Sequence, residues 1–588
     1  MSIITITGFT GEQPRIINRL LPPHAAADAV ELRMDDGGLT PFSVPEIEHT
    51  FPGTPNYQSI YKHGTTWLGW ATQAWAVPGP VADDRLYVTQ VGQPPKMIVG
   101  GTTYDLAVPA PTTKPTLTPS GAGSGDVTVR NYVYTYVTAF GEESEPSPIS
   151  DPINWQTGIT VTLSGILAPP GGRNITLQRF YRTQTGTAGT DLYFIAERAA
   201  SAANFVDNIP VTQFAERLPS RTYNPPPAGL LGLTALPNGM MAGFVGKTLY
   251  FCEPYLPHAW PEVYAQTVEA EIVGLGAMDV QLVVITKGQP WRAAGTEPAS
   301  MSMSKIETNL PGVSSYGIVD LGYAIAWAAP DGLAIAKSSG EVGLVSDNLF
   351  NPRDWRALNP AAMRAGQYHG RWIASFDGVD PITDEPKSGS IIIDPAGDVA
   401  YLIRSKIIAR SWYFDVPSGD LFYLDPDGKN VRRFDPEQGA PAIYYWRSKD
   451  YYMPIDDNFG CILVESGEGF SELEAAAKQS VVAAIIAQNQ AMITAGTVTG
   501  SINSQSINND VFAGDNLLPI PAGAGGTFSL GVYCNDVKVA TIGKRDRVER
   551  LPSGFLGRKW ALDVFADVPI DKITMARTVD EIKQAQAA

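Results

Sequence analysis

The chain has 588 residues, a net charge of −17 and 44% hydrophobic residues, so it is long enough for several domains of about 150 residues each and apolar enough for ordinary cores. The acidic balance excludes non-specific DNA binding by phosphate neutralisation: a passing duplex would be repelled rather than held. Three widely spaced cysteines, Cys252, Cys461 and Cys534, exclude a CxxC metal knuckle or a disulfide-dense scaffold and suggest folding in a reducing compartment.

The first residues, MSIITITGFTGEQPRI, lack a basic region and a long apolar region, so a secretory signal is not expected. No apolar run in the chain reaches the length of a membrane-spanning helix. Pro14, Pro22-Pro23 and Gly37-Gly38 break residues 1–50 into an arm. From Tyr57 to Tyr104, aromatic, Thr and Val residues alternate with Gly and Pro turns, which predicts strands. Residues 1–110 are therefore read as an N-terminal arm followed by the first propeller strands. The stretch VPAPTTKPTLTPSGAGSG (108–125) marks a boundary. Beyond it, VRNYVYTYVTAF places Tyr132, Tyr134 and Tyr136 on one face of a strand and Val133, Thr135 and Val137 on the other. ITLQRFYRTQTGT and DLYFIAER add further strands, so 111–224 is predicted to be a β-sandwich. Its strand order, and above all YTYVTAFGEESEPSP, resembles a fibronectin type III-like module.

Residues 225–450 are predicted to form the main body. Between Leu231 and Ala336, short apolar runs are separated by turn signals every dozen residues or so, the rhythm of repeated antiparallel sheet. Pro237-Asn238-Gly239, Pro330-Asp331-Gly332, Pro395-Ala396-Gly397 and Pro426-Asp427-Gly428 are turns with a mechanism, a preset φ followed by tolerance of positive φ. Four short strands per unit suit propeller blades, although no WD or kelch signature is present. The predicted fold class is mainly β: an irregular β-propeller body with an inserted fibronectin type III-like sandwich and a helix-containing insertion.

That second insertion is 451–530. Residues 470–493 are predicted to be a helix about 33 Å long, opened by a capping box of Ser471 and Glu474. Leu473, Ala477, Val481 and Ile485 form an apolar stripe, with Val482, Ile486 and Ile493 beside it. Gln488-Asn489-Gln490 makes the helix too polar for a membrane span. Gln479 to Asn509 carries no charged residue. The helix either packs on its own domain or projects to a neighbouring subunit or a lumen. In the second reading Leu473, Val481, Val482, Ile485, Ile486, Gln488 and Ile493 are the lumen or interface residues. Residues 531–588 are read as propeller-closing strands and a short helical tail.

Chemistry is sparse. GAGSG at 121–125 lies in a linker, and Gly274-Leu275-Gly276 opens no helix, so neither is a phosphate cradle. His24, His49, His63, His258 and His369 show no metal-ligand spacing, and His258, in EPYLPHAWPE, reads as a packed loop histidine. There is no GxSxG elbow. The pairs Asp35-Asp36, Asp83-Asp84 and Asp456-Asp457 read as solvated loop acids, because a glycosidase needs carboxylates facing across a cleft. Asp425-Pro426-Asp427-Gly428-Lys429-Asn430 imitates a calcium loop but lacks its closing Glu, Pro436 standing there, and has its Gly too early. No catalytic residue, cofactor or metal site is expected.

Several segments together resemble the podovirus-type (short-tailed) phage tail nozzle family, also called tail tubular protein B or DNA-stabilisation proteins. They are GEQPRIINRLLPPHAAADAVELRMDDGGLTP, WLGWATQAWAVPGPVADDRLYVTQVGQPPK, GMMAGFVGKTLYFCEPYLPHAWPEVY, KGQPWRAAGTEPASMSMSKIE, PGVSSYGIV, APDGLAIA, YYWRSKDYYMP and RLPSGFLGRKWALDV. They span nearly the whole chain, and their number and order carry the likeness rather than any one motif. The resemblance implies a virion structural protein, not an enzyme, made in the bacterial host cytoplasm. It would form a ring, a hexamer, below the portal and adaptor, contact tail fibres or spikes, retain the genome and conduct double-stranded DNA without specific binding. The alternative is a glycan-binding or glycan-processing propeller, which a convergent carboxylate pair with aromatics in a central pocket would favour. An adhesin-like surface protein is a third reading, disfavoured by the N-terminal text.

Overall fold

The computed structural model describes residues 3–186, 189–210, 215–396, 400–466 and 527–587, together with Ala484, Ile485, Ala487, Gln488, Gln490 and Ala491 in the intervening stretch. The chain is mainly β. Its central feature is a ring of six four-stranded antiparallel blades, at 74–105, 231–267, 272–305, 319–344, 364–405 and 411–434, the last completed by Glu46–Thr50. The blades are numbered here in that order.

Each blade is a meander of short strands joined by the turns read in the sequence. In blade IV, Ala324–Ala329 and Gly332–Lys337 pair through the two-residue turn Pro330-Asp331. All six residues of the first strand are buried. A strand covered on both faces needs no polar alternation, which is why AIAWAA is continuously apolar. In blade VI, Asp427 accepts from the amides of Lys429 (2.8 Å) and Asn430 (3.1 Å). The Gly428 amide donates to Asp425 O (2.9 Å). The calcium-like text is thus a β-turn between Asp420–Leu424 and Asn430–Phe434.

The ring closes through first strands. Ala74–Pro78 touches Leu231–Ala235, and contact passes on through Ile272–Met278, Val319–Asp320, Arg364–Tyr368 and Ser411–Asp415. The hairpin of Ser59–His63 and Thr66–Trp70 fills the gap between blades VI and I. Apolar clusters lie between successive blades, such as Leu282, Val284 and Ala242 between II and III, and Trp327, Ile325 and Val283 between III and IV. Glycines permit this approach. A Cβ at Gly274 would lie 2.5 Å from Ile318 Cδ1, and one at Gly276 2.5 Å from Ile325 Cγ2. The Gly-Leu-Gly text is therefore a device for seating blade III on blade IV.

The insertion between blades I and II is a β-sandwich. One sheet is Thr116–Ser120, Thr160–Ser164 and Phe205–Asp207; the other is Tyr132–Thr138, Ile175–Gly186 and Gly189–Ala199. Tyr132, Tyr134 and Tyr136 fill the space between them with Leu163 and Phe180. The opposite face of the tyrosine strand is buried too, Val133 packing on Tyr181, Leu192 and Leu218. The returning chain lies there, tied by the Leu218 amide donating to Leu192 O (3.0 Å).

The two chain ends form a third body. Ile3–Ile6 pairs with Lys572–Ala576, which pairs with Cys461–Glu465. Ala25–Val30 pairs with Tyr444–Ser448, and Gly557–Ala566 lies between that strand and Phe528–Cys534. Thr10–Glu12 and Ala25–Val30 join this sheet to Tyr401–Ser405, the outer strand of blade V. The expectation that 531–588 closes the propeller is corrected by this pairing. Closure comes from Glu46–Thr50 against Asn430–Phe434. Leu530, Val532, Leu562, Val564, Ile573 and Met575 are buried instead in a shared core with Ile6, Ala26, Tyr444 and Trp446.

Candidate functional site

The helix expected at 470–493 lies largely outside the described residues. Of its candidate positions, Ile485 and Gln488 are helical, Ile485 half-buried and Gln488 exposed, whereas Leu473, Val481, Val482, Ile486 and Ile493 lie outside them. Neither Ile485 nor Gln488 lines either of the two cavities below.

Two cavities stand out. The first, about 420 Å³, lies on the propeller axis where the inter-blade loops meet the turns joining second and third strands. Blade I supplies Gln73 and Trp75, the loop entering blade IV supplies Ser314, Ser315 and Tyr316, and blade V supplies Arg364. Arg364 lies over the Tyr316 ring, its guanidinium carbon 3.5 Å from the centroid. Burial holds the Arg364 guanidinium below the usual arginine value; the Tyr316 phenol opposes this and Arg410 adds to it. Ser315 Oγ donates to Gln73 Oε1 (2.6 Å), which turns the Gln73 amide nitrogen away from that bond. Lys287, also in the lining, is exposed and paired with Glu271. No carboxylate is in the lining.

The second cavity, about 630 Å³, lies between the sandwich and blade II and is lined by Glu145, Asn224, Pro225, Pro227, Tyr250, Trp260, Glu262 and Ala265. Asn224 Nδ2 donates to Glu145 Oε1 (2.8 Å), and the Glu262 amide donates to Asn224 Oδ1 (3.1 Å). Burial, then the negative charge of Glu262, pushes the Glu145 carboxyl up. Trp260 is buried, and its Nε1 donates to Pro257 O (2.7 Å). It offers no open aromatic platform for a sugar.

Beside this second cavity a buried polar cluster fastens the sandwich to the propeller. Arg173 Nη2 donates to Glu142 Oε2 (2.7 Å) and to Leu106 O (3.3 Å). Both side chains are almost fully buried. His258 Nε2 lies 3.2 Å from Glu143 O, and its ring meets Tyr223 edge-on at 5.9 Å. Burial pulls the His258 imidazole down, against the Glu142 charge. The ring is a packed loop group.

Of the pair Asp456-Asp457, expected as solvated loop acids, both stand on the strand Tyr451–Asp457 and only Asp456 is exposed. Asp457 is buried against Arg577, whose Nε donates to it at 2.7 Å, while Asp456 faces Arg558. The three cysteines are buried and free, and burial pushes the Cys252 thiol up to about 12. Among the described residues no group of three or more His, Cys, Asp or Glu could hold a metal, and no helix is long and apolar enough to cross a membrane. Sequence reading missed Arg364 and Tyr316 because they sit on separate blades and share no motif.

No family model and no curated protein matches this sequence. Among solved structures, the Neurospora crassa Pan2 WD40 domain is 7% identical, covers 62% of this chain and 90% of its own, and has a TM-score of 0.27. An auxiliary nutrient binding protein from Bacteroides ovatus is 11% identical, covers 66% and 76%, and has a TM-score of 0.24. The N-terminal domain of Nup159 is 8% identical, covers 43% and 86%, and has a TM-score of 0.22. Likeness at this level bears on no ligand or partner, and the propeller assignment rests on the strand topology itself.

Proposed function

We propose that this chain is a structural subunit of a short-tailed phage tail, assembling into a ring that forms the distal nozzle, retains the packaged genome and conducts DNA at ejection. The ordered family-like segments motivate the reading. The observation that carries it is an exposed apolar patch at one end of the terminal sheet: Tyr452, Ile455, Val537, Phe555 and Leu556 are 38–67% exposed. Strand 451–457 lies on one side of Gly557–Ala566 and the hairpin turn preceding Val537 on the other. Exposed apolar side chains gathered at one sheet end suit an association site, with the Arg558–Asp456 and Lys559–Asp536 ion pairs among them. A self-associating ring gives it a partner, and the portal or adaptor and the tail fibres would dock elsewhere on the same ring. The acidic chain suits a conduit that does not retain the duplex.

A glycan-processing propeller is less well supported. Such an enzyme needs two carboxylates across a cleft, and the axial lining is free of them. Labelling of purified virions with an antibody to the sandwich tests the tail reading. Label at the distal tip of the tail is expected; virions from which the chain is missing would contradict it.

A further inference from the structure

We propose that the axial cavity is a binding site for a small acidic sugar of the hexuronate class, its carboxylate held by Arg364 and its ring faced by Tyr316 and Trp75. The proposal stands apart from the tail reading.

The cavity is built from donors and aromatic surface. Arg364 has no ion pair or side-chain hydrogen bond among the described residues. The charged and titratable groups that act on it are Tyr316 and Arg410, neither a carboxylate. By contrast, Arg173, Arg182, Arg371, Arg404 and Arg432 all face acids. Stacking on Tyr316 engages the guanidinium face, and the planar edge of a guanidinium matches a carboxylate with two parallel hydrogen bonds. Lys287 at the rim is already paired with Glu271.

Hydroxyl recognition is present beside it. With Gln73 Oε1 occupied by Ser315, the Gln73 amide N–H groups are free of that bond, and the Ser314 hydroxyl lies in the same lining. Trp75 and Tyr316 are half-buried, so each presents part of a ring, the surface on which the C–H face of a sugar packs. A volume of about 420 Å³ falls within the range of small-ligand pockets and admits one or two sugar rings. Several apolar walls with a few convergent polar groups are what such a site requires.

The test titrates the full chain with galacturonate, with glucose and with inorganic phosphate, reading heat of binding and tryptophan fluorescence. Saturable galacturonate binding is expected, with glucose weaker by about tenfold or more for want of the charge-assisted pair. Arg364→Gln should weaken galacturonate to the level of glucose. Gln73→Glu, which places a like charge in the cavity without touching Arg364, should abolish binding even if Arg364→Gln fails to fold. Absence of saturable galacturonate binding, binding of phosphate alone, or undiminished binding in folded Gln73→Glu would each overturn the proposal.

Discussion

The junction of blades III and IV and the junction of the sandwich with the propeller solve the same problem with opposite chemistry. The first is dry: Gly274 and Gly276 let Ile318 and Ile325 approach the backbone of the neighbouring blade, and Trp327, Val283 and Ile285 fill the rest. The second is charged: Arg173, Glu142 and His258 are nine-tenths or more buried. Arg173 Nε and Nη1, Glu142 Oε1 and His258 Nδ1 have no hydrogen-bond partner among the described residues. Apolar packing is forgiving of small changes and follows from composition. A buried ion pair tolerates no loss of one member, because the survivor keeps its desolvation cost without its compensation. The blades therefore gain stability from area, whereas the insert is oriented by the hydrogen bond from Arg173 to Leu106 O and by the contact of His258 with Glu143 O, Glu142 compensating the buried Arg173 charge from within the insert.

That contrast can be broken at several points. The largest effect is expected from Glu142→Ala, which strands the buried Arg173 guanidinium and should cost about 3–5 kcal/mol, read as a fall in the denaturant midpoint. Replacing both partners, Glu142→Leu with Arg173→Met, should recover most of that loss; a double variant as unstable as the single one would remove the ion-pair account. Next, Gly276→Val forces a side chain into Ile325 and should cost about 1–3 kcal/mol by overpacking. A thermal midpoint unchanged from wild type would show that the two blades are not seated as described.

Mild acidification should act on the polar junction through His258. Because burial lowers the folded-state value of His258 from its ordinary 6.5, the unfolded chain binds more protons in the window below 6.5. Stability is then present above that pH and is lost as pH falls through 6.5 toward the folded value, at no more than about 1.4 kcal/mol per pH unit. His258→Gln should flatten this part of the pH–stability curve; a slope identical to wild type would assign it to other groups. The smallest effect on folding is expected from Leu556→Ser. Leu556 is 67% exposed, so stability should change by less than about 0.5 kcal/mol, while self-association measured by sedimentation weakens.

Much of the architecture was legible because it is local. The Pro-Asn-Gly and Pro-Asp-Gly turns, the continuously apolar AIAWAA strand and the period-two tyrosines are properties of a few adjacent residues, and each stands where its text implies. Long-range pairing was not legible. Glu46–Thr50 completes a blade whose other strands begin at Ser411, and Ile3–Ile6 pairs with Lys572–Ala576. Nothing in a short strand names a partner hundreds of residues away, so sequence alone does not separate the C-terminal strands of the terminal sheet from propeller strands. The axial cavity was illegible for the same reason. Gln73, Tyr316 and Arg364 are unremarkable in their own segments and converge only when blades I, IV and V meet around one axis.

A ring-forming tail subunit would reveal itself in the mass of the assembled particle. Single-particle mass measurement of the purified full chain, with and without its adaptor protein, should show a closed oligomer of discrete stoichiometry that Leu556→Ser weakens. A chain that stays monomeric under both conditions would contradict the claim.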